Sequence, residues 1–108
     1  TAYPNWQMAV DGDLIAKRVV VNISNWPDYV FEINYRKKSL EELAAFVEEN
    51  KHLPDVPSAS EIEQQGLSLG DMDKILLKKI EELTLYVIEL KKENTDIRMQ
   101  LSNVNNGK

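Results

Sequence analysis

The sequence contains no cysteine, and this absence removes two classes of small protein at once. Without thiols the chain cannot be a disulfide-stabilised scaffold, and it cannot hold a metal through thiolates. It also has no apolar run near the ~20 residues that a membrane helix needs. Its formal charge of −5 comes without a basic stripe that could neutralise phosphates. We therefore expect no membrane insertion and no nucleic-acid partner.

The first residues lack the charged and apolar regions of a signal peptide, so the sequence itself carries no targeting signal. The chain begins without Met, and we interpret it as a fragment whose longer parent polypeptide would carry any such signal.

Residues suited to catalysis or metal binding are also scarce. His52 is the only histidine, and beside Leu53 and Pro54 it fits a packed or solvated side chain better than a general base. Asp11 and Asp13 flank Gly12, but they offer too few oxygens for a calcium site and read better as a turn. We expect no enzyme activity, no cofactor and no metal.

Two short apolar runs precede residue 24 and are separated by that Asp-Gly turn, at 8–10 and 14–23. Alternating and β-branched residues bounded by a turn are typical of strands. The predicted fold class is therefore α+β, mainly α. Its N-terminal strands, in residues 1–24, would form the end of a β-rich stalk.

Residues 25–70 are predicted to form a small head. An aromatic turn comes first, and it could anchor the head's core or form a ligand platform through Trp26, Tyr29, Phe31 and Tyr35. Ser39 and Glu42 form a capping box for a short helix that stops near Asn50. A second short helix begins after Ser58 or Ser60 and ends at Gly66.

Residues 71–108 are predicted to form a long helix capped by Asp71, with a polar tail that frays beyond Leu101. Its apolar residues follow a strict heptad seam, which requires partner helices. Asn94 at an a position, and Glu93 at g before Arg98 at e, favour parallel chains in register. The predicted oligomer interface consists of Leu76, Ile80, Leu83, Val87, Leu90, Asn94, Ile97 and Leu101, with Val104 extending it at d.

Outside the seam, the apolar residues Leu77, Leu85 and Ile88 require a cover, and we expect the head to fold back onto them. Two patterns in the sequence predict different numbers of chains. Ile80 and Val87 at a, with Leu at d, favour a dimer. Ile97 at d, the broad apolar face given by Leu77 and Leu85, and a stalk of three chains expected from the strand segment favour a trimer. We predict a parallel homotrimer, with a dimer as the alternative.

The motifs at 26–31, 52–54, 57–59 and 80–86 (WPDYVF, HLP, PSA and IEELTLY) resemble a C-terminal domain of tail-fibre-like and secreted surface proteins of Bacteroidetes. In layout this domain is similar to the intramolecular chaperone ends of trimeric phage fibres, although the start motif of the self-cleaving kind is not found. The resemblance implies a position at the end of a fibre, and hence a longer parent protein that is extracellular, on a cell surface or in a virion.

Three functions follow from these patterns. The first is an oligomerisation and registration module, chaperone-like, that caps a trimeric fibre or surface protein. The second is a receptor- or glycan-binding tip that uses the aromatic residues as its contact surface. The third, by analogy alone, is a self-cleaving serine hydrolase with Ser24 or Ser39 as nucleophile and Lys17 or Lys38 as base.

Overall fold

The computed structural model describes residues 6–106 and contains three helices in that range. They are α1 (Leu40–Asn50), α2 (Ala59–Gln65) and α3 (Leu69–Asn106). The radius of gyration is 21.1 Å, and the longest dimension is 80 Å. A compact domain of this length would have a radius of gyration of about 13 Å. The chain is therefore an elongated helical protein.

The prediction of N-terminal strands, and with it the α+β class, is wrong for the described residues. From residue 6 to residue 38 the chain is extended or turned, and none of it is in a strand. A strand exists only when its backbone pairs with a neighbouring one, and no backbone hydrogen bond joins the two sides of the Asp11–Asp13 bend in this part of the chain. Val19 and Val20 are left exposed, so β-branched composition alone did not produce a sheet.

Helix α1 confirms the predicted capping box. The Ser39 side chain accepts a hydrogen bond from the Glu42 backbone N–H, and the Glu42 carboxylate accepts one from the Ser39 N–H. The second bond, together with the nearby hydroxyl, lowers the pKa of Glu42. Lys51 ends the helix in the left-handed conformation, and its N–H donates to the Val47 carbonyl at 2.8 Å.

Helices α2 and α3 settle two boundaries. Of the two serines that could cap α2, Ser58 does so, and Gly66 ends the helix as predicted. Helix α3 begins at Leu69, before the predicted cap Asp71, because the Ser68 hydroxyl accepts from the Asp71 N–H at 3.4 Å. The helix also continues to Asn106, beyond the predicted end near Leu101.

The single chain has very little core. Among the described residues the buried apolar side chains are Val30 and Tyr86, together with the prolines Pro27 and Pro54. Gly70 is also buried, and a Cβ added there would lie 3.0 Å from Cγ1 of Val21. The extended N-terminal segment thus packs against the first turn of α3, where only a small residue leaves it room.

Candidate functional site: the open seam of α3 and the groove beside it

The predicted heptad seam runs along α3 as an uncovered apolar stripe. Its apolar members are all roughly half exposed, from 46% at Leu76 to 63% at Val104. These residues are Leu76, Ile80, Leu83, Val87, Leu90, Ile97, Leu101 and Val104, and the polar member Asn94 is exposed as well. A soluble helix does not normally leave its longest apolar stripe in water, so this stripe is the surface for which a partner is to be sought.

Tyr86 joins the head to α3 beside the seam. Its ring is buried, and its hydroxyl donates to the Lys38 carbonyl at 2.6 Å. The Lys37 ammonium lies 4.9 Å from the ring centroid and forms an ion pair with Glu89. Burial, and then the nearby carboxylates of Glu82 and Glu89, raise the pKa of Tyr86 and keep its hydroxyl a donor. The chain just before α1 is therefore fixed along the middle of α3.

A second set of polar contacts joins the loop after α1 to α3. Asp55 accepts from Lys78 at 2.9 Å and from Lys79 at 3.4 Å, and Lys79 also pairs with Glu82 at 3.0 Å. The Lys78 hydrogen bond lowers the pKa of Asp55. Tyr35 donates to Glu82, and burial together with this carboxylate raises the pKa of Tyr35. The sequence predicted Tyr35 as a possible anchor but not its partner Glu82 or the Asp55 pairs, because these contacts join side chains far apart in the chain.

A groove of about 500 Å³ lies between the head and α3. Its helix side includes three seam residues, Leu76, Ile80 and Leu83, and the α3 residues that hold the head, Lys78, Lys79, Glu82 and Tyr86. The head side includes Leu43 from α1 and the Leu53–Pro54 turn, with cationic side chains from Arg36 and its neighbours at the rim. The groove is thus continuous with the open seam.

The four predicted aromatic residues do not form one platform. The Tyr29 and Tyr35 rings lie 5.6 Å apart and tilted by 40°, and Lys78 lies 5.7 Å from the Tyr29 centroid. Trp26 is 51% exposed and Phe31 is more so. The residues buried in this segment are instead Pro27 and Val30. Tyr35 acts as an anchor through Glu82, whereas Trp26 and Phe31 stay at the surface.

The expected cover of the outer face of α3 is incomplete. Leu77 and Leu85 are half-buried, but Ile88 is 44% exposed. The contacts that fix the head are instead polar and lie on the flank of α3 that carries Lys79, Glu82 and Tyr86. In this single chain Ile88 therefore still lacks a cover.

The residues considered for chemistry have structural neighbours. The His52 ring lies edge-on to Phe46 at 5.8 Å, and its Nδ1 is 2.8 Å from the Leu53 carbonyl. Ser39 is occupied as the cap of α1, and Lys38 lies over the Phe46 ring at 5.5 Å. Among residues 6–106 no cluster of His, Asp and Glu could hold a metal ion, and no helix in that range is long and apolar enough to cross a bilayer.

Comparison with known proteins adds no relative. No family model, curated protein or solved structure matches this chain. The seam and the groove are therefore the features of this chain that indicate a function.

Proposed function

We propose that this chain is a self-association module, a parallel homotrimer that holds the polypeptides to which it belongs in register. The observation that carries the proposal is the apolar seam of α3, which follows the heptad rule from Leu76 to Val104 and is half exposed throughout. Such a narrow stripe packs well only against an equivalent stripe on another helix.

The surface area of the chain supports an obligate partner. The single chain exposes 9833 Å². A compact monomer of 12.4 kDa exposes about 6,100 Å² by the usual scaling with mass. The excess, about 3,700 Å², is several times the ~800 Å² that each partner buries in a standard interface. Neighbouring copies can cover much of it.

The pattern along the seam supports parallel chains. Asn94 occupies one a position, where amides of chains in register can pair with each other. Glu93 at g and Arg98 at the next e are placed to attract each other across a parallel pair, and in an antiparallel pair they would not meet in this way. The same residues therefore set direction and register together.

The number of chains rests on a balance of packing preferences. Ile80 and Val87 at a favour two strands, whereas Ile97 at d and the additional apolar residue Ile88 favour more. We propose three because the large exposed apolar surface outside the seam is covered better by two neighbours than by one. A dimer is the alternative.

The place of the module at the end of a fibre, outside the cell or on a virion, rests on the resemblance to tail-fibre-like and secreted surface proteins. Registration is useful there because chains that start out of register assemble slowly and wrongly. Fixing the ends of the chains raises the effective concentration of all preceding segments. The module would then serve as the nucleus from which the parent fibre assembles.

A receptor- or glycan-binding tip remains a second proposal because Trp26 and Phe31 are exposed. Exposed aromatic rings can stack on sugars. Titration of the protein with a candidate oligosaccharide, followed by tryptophan emission, tests it. A saturable shift that Trp26→Ala removes would support binding, and no shift at millimolar sugar would count against it.

Disulfide formation tests the parallel, in-register assembly. Because the chain has no cysteine, Leu90→Cys places a single thiol on the seam at a d position. Chains in parallel register bring these thiols together, and mild oxidation should link two of the three chains in each trimer, because one disulfide uses two thiols. Lys92→Cys, on the outer face of α3, is the matched control and should link poorly. Equal linking of both variants would contradict the proposal.

A further inference from the structure

The groove between the head and α3 has a shape and a position that fit a second helix. We propose that α3 of the neighbouring protomer binds in this groove, so that each head contacts the α3 helix of the next copy. This inference rests on the proposed self-association and specifies how it is built. The assembly would then have two interfaces per neighbour: seam against seam, and head against helix.

The position of the groove follows from its lining. Leu76, Ile80 and Leu83 belong both to the seam and to the groove. A helix that packs on these residues must enter the space beside them, and the head borders that space at Leu43, Leu53 and Pro54. One partner helix that packs on the seam would therefore contact the head as well.

The size of the groove agrees with this occupant. One turn of α-helix, taken as a cylinder about 10 Å wide and 5.4 Å long, encloses roughly 420 Å³. The groove holds about 500 Å³ beside the two seam turns from Leu76 to Leu83. The remaining turns of a partner helix would continue along the seam over Val87 and Leu90, which are 56% and 49% exposed.

Heptad geometry identifies the partner residues that would face the head. Tyr86 and Lys79, which hold the head, are g positions, and in a parallel coil a g residue faces the e residue five places further along the partner. Lys79 would then lie opposite the partner's Thr84. On the partner helix, Glu81 and Ile88 occupy the b positions, which lie beside Thr84 and farther from the seam.

The two surfaces are chemically complementary. The head wall presents Leu43 and Leu53, next to the buried Pro54, with Arg36 and Lys38 also lining the groove. The facing stripe of α3 presents the apolar Ile88 and the acidic Glu81, and the exposure of Ile88 in the single chain is otherwise unexplained. Apolar atoms would meet apolar atoms and Glu81 would meet cations, so the neighbour's head supplies the missing cover of α3.

Mixed single-cysteine proteins give a direct test. One protein carries Leu53→Cys and the other carries Thr84→Cys, with tags of different mass, and the two are unfolded together, refolded and treated with a short thiol-to-thiol crosslinker. Each chain has one thiol, so every crosslink joins two chains. A product that contains both tags is expected in high yield, and the same yield is not expected when Ile33→Cys, almost fully exposed on the head, replaces Leu53→Cys.

The outcomes separate this inference from the proposed function. If Leu90→Cys links efficiently but the Leu53 and Thr84 thiols link no better than the Ile33 control, the chains associate and the head does not grip its neighbour. If Leu90→Cys itself fails, self-association through the seam is wrong. Both crosslinks together support the full arrangement.

A matched pair of substitutions gives an independent measure. Leu53 lines the groove and is 43% exposed, whereas Leu67 lies outside it and is 47% exposed. Leu53→Glu should weaken the association by about tenfold or more, since a charge would be buried against the partner helix. Leu67→Glu should leave it within about twofold. Equal weakening of the association by both substitutions would overturn the proposed contact between the head and the partner helix.

Discussion

A single charge at the centre of the seam should destabilise an associated chain far more than an isolated one. Leu83 is 60% exposed in one chain, so Leu83→Asp in an isolated monomer would be a surface substitution. Its cost would be about 0.5 kcal/mol, mostly from the lower helix propensity of Asp. In the proposed trimer the same position is a central d residue, where three carboxylates would meet in an apolar layer.

The expected effect in the assembly is much larger. Each chain loses the burial of the exposed part of a leucine, roughly 1 to 2 kcal/mol, and must also desolvate a carboxylate at a further cost of several kcal/mol. A loss of at least about 3 kcal/mol per chain reduces association by more than a hundredfold. The variant should therefore be monomeric at concentrations at which the parent is fully associated.

Met99→Asp is the matched control for this experiment. Met99 is also 60% exposed on α3, but it lies at an f position, off the seam. Sedimentation velocity on the parent and both variants, with circular dichroism to measure helix content, gives the comparison. If Leu83→Asp keeps the parent's sedimentation coefficient, or if Met99→Asp dissociates equally well, the seam is not the interface and our reasoning fails.

Three further predictions concern how the head is held, each measured at fixed protein concentration because stability depends on it in an oligomer. Tyr86→Phe removes the hydroxyl that satisfies the Lys38 carbonyl and should lower the free energy of unfolding in urea by about 0.5 to 1.5 kcal/mol; an unchanged midpoint would contradict the anchor. Asp55 has a lowered pKa in the folded chain. Its contribution to the free energy of unfolding is therefore fully present above its unfolded pKa, about 3.9, and is lost as pH falls through the folded pKa. Asp55→Asn, which keeps the side-chain shape and tolerates the left-handed backbone at φ 68°, should flatten the acid limb of stability against pH; an identical acid limb would show that the Lys78 pair contributes nothing. Gly70→Ala should raise the free energy of unfolding by less than the usual ~1 kcal/mol, because the added Cβ would press on Val21. In a Val21→Ala background the same substitution should give the full increase. Equal increases in both backgrounds would show that Val21 does not pack against Gly70.

Local signals in the sequence predicted the helices well. The boundaries of α1 and α2 depend on side chains within three residues of each end, such as Ser39 with Glu42 and Ser58 with Glu61, and these bonds are present. The cap of α3 was placed three residues late, at Asp71 in place of Ser68, because both are good caps and the sequence does not rank them.

Long-range structure was predicted poorly, and the strands show why. The Val19–Val21 run has the composition of a strand, yet a strand depends on backbone pairing with a second segment, and composition cannot show whether that segment exists. The docking of the head was missed for a related reason. Tyr86 and Lys38 are separated by 48 positions, and no local pattern links the two.

The seam itself was readable because it repeats. A heptad pattern predicts which face of a helix is apolar from the helix's own residues, and α3 presents that face from Leu76 to Val104. What covers this face is not encoded in a local pattern. The association therefore stays a prediction.

The molar mass in solution tests the central claim most directly. Light scattering coupled to size-exclusion chromatography separates mass from shape, which matters for a chain 80 Å long. For a chain of 12.4 kDa, our account predicts a mass three times that value, unchanged on tenfold dilution from the micromolar range. A stable mass of twice the chain would replace the trimer by a dimer, and a mass equal to one chain would contradict self-association through the seam.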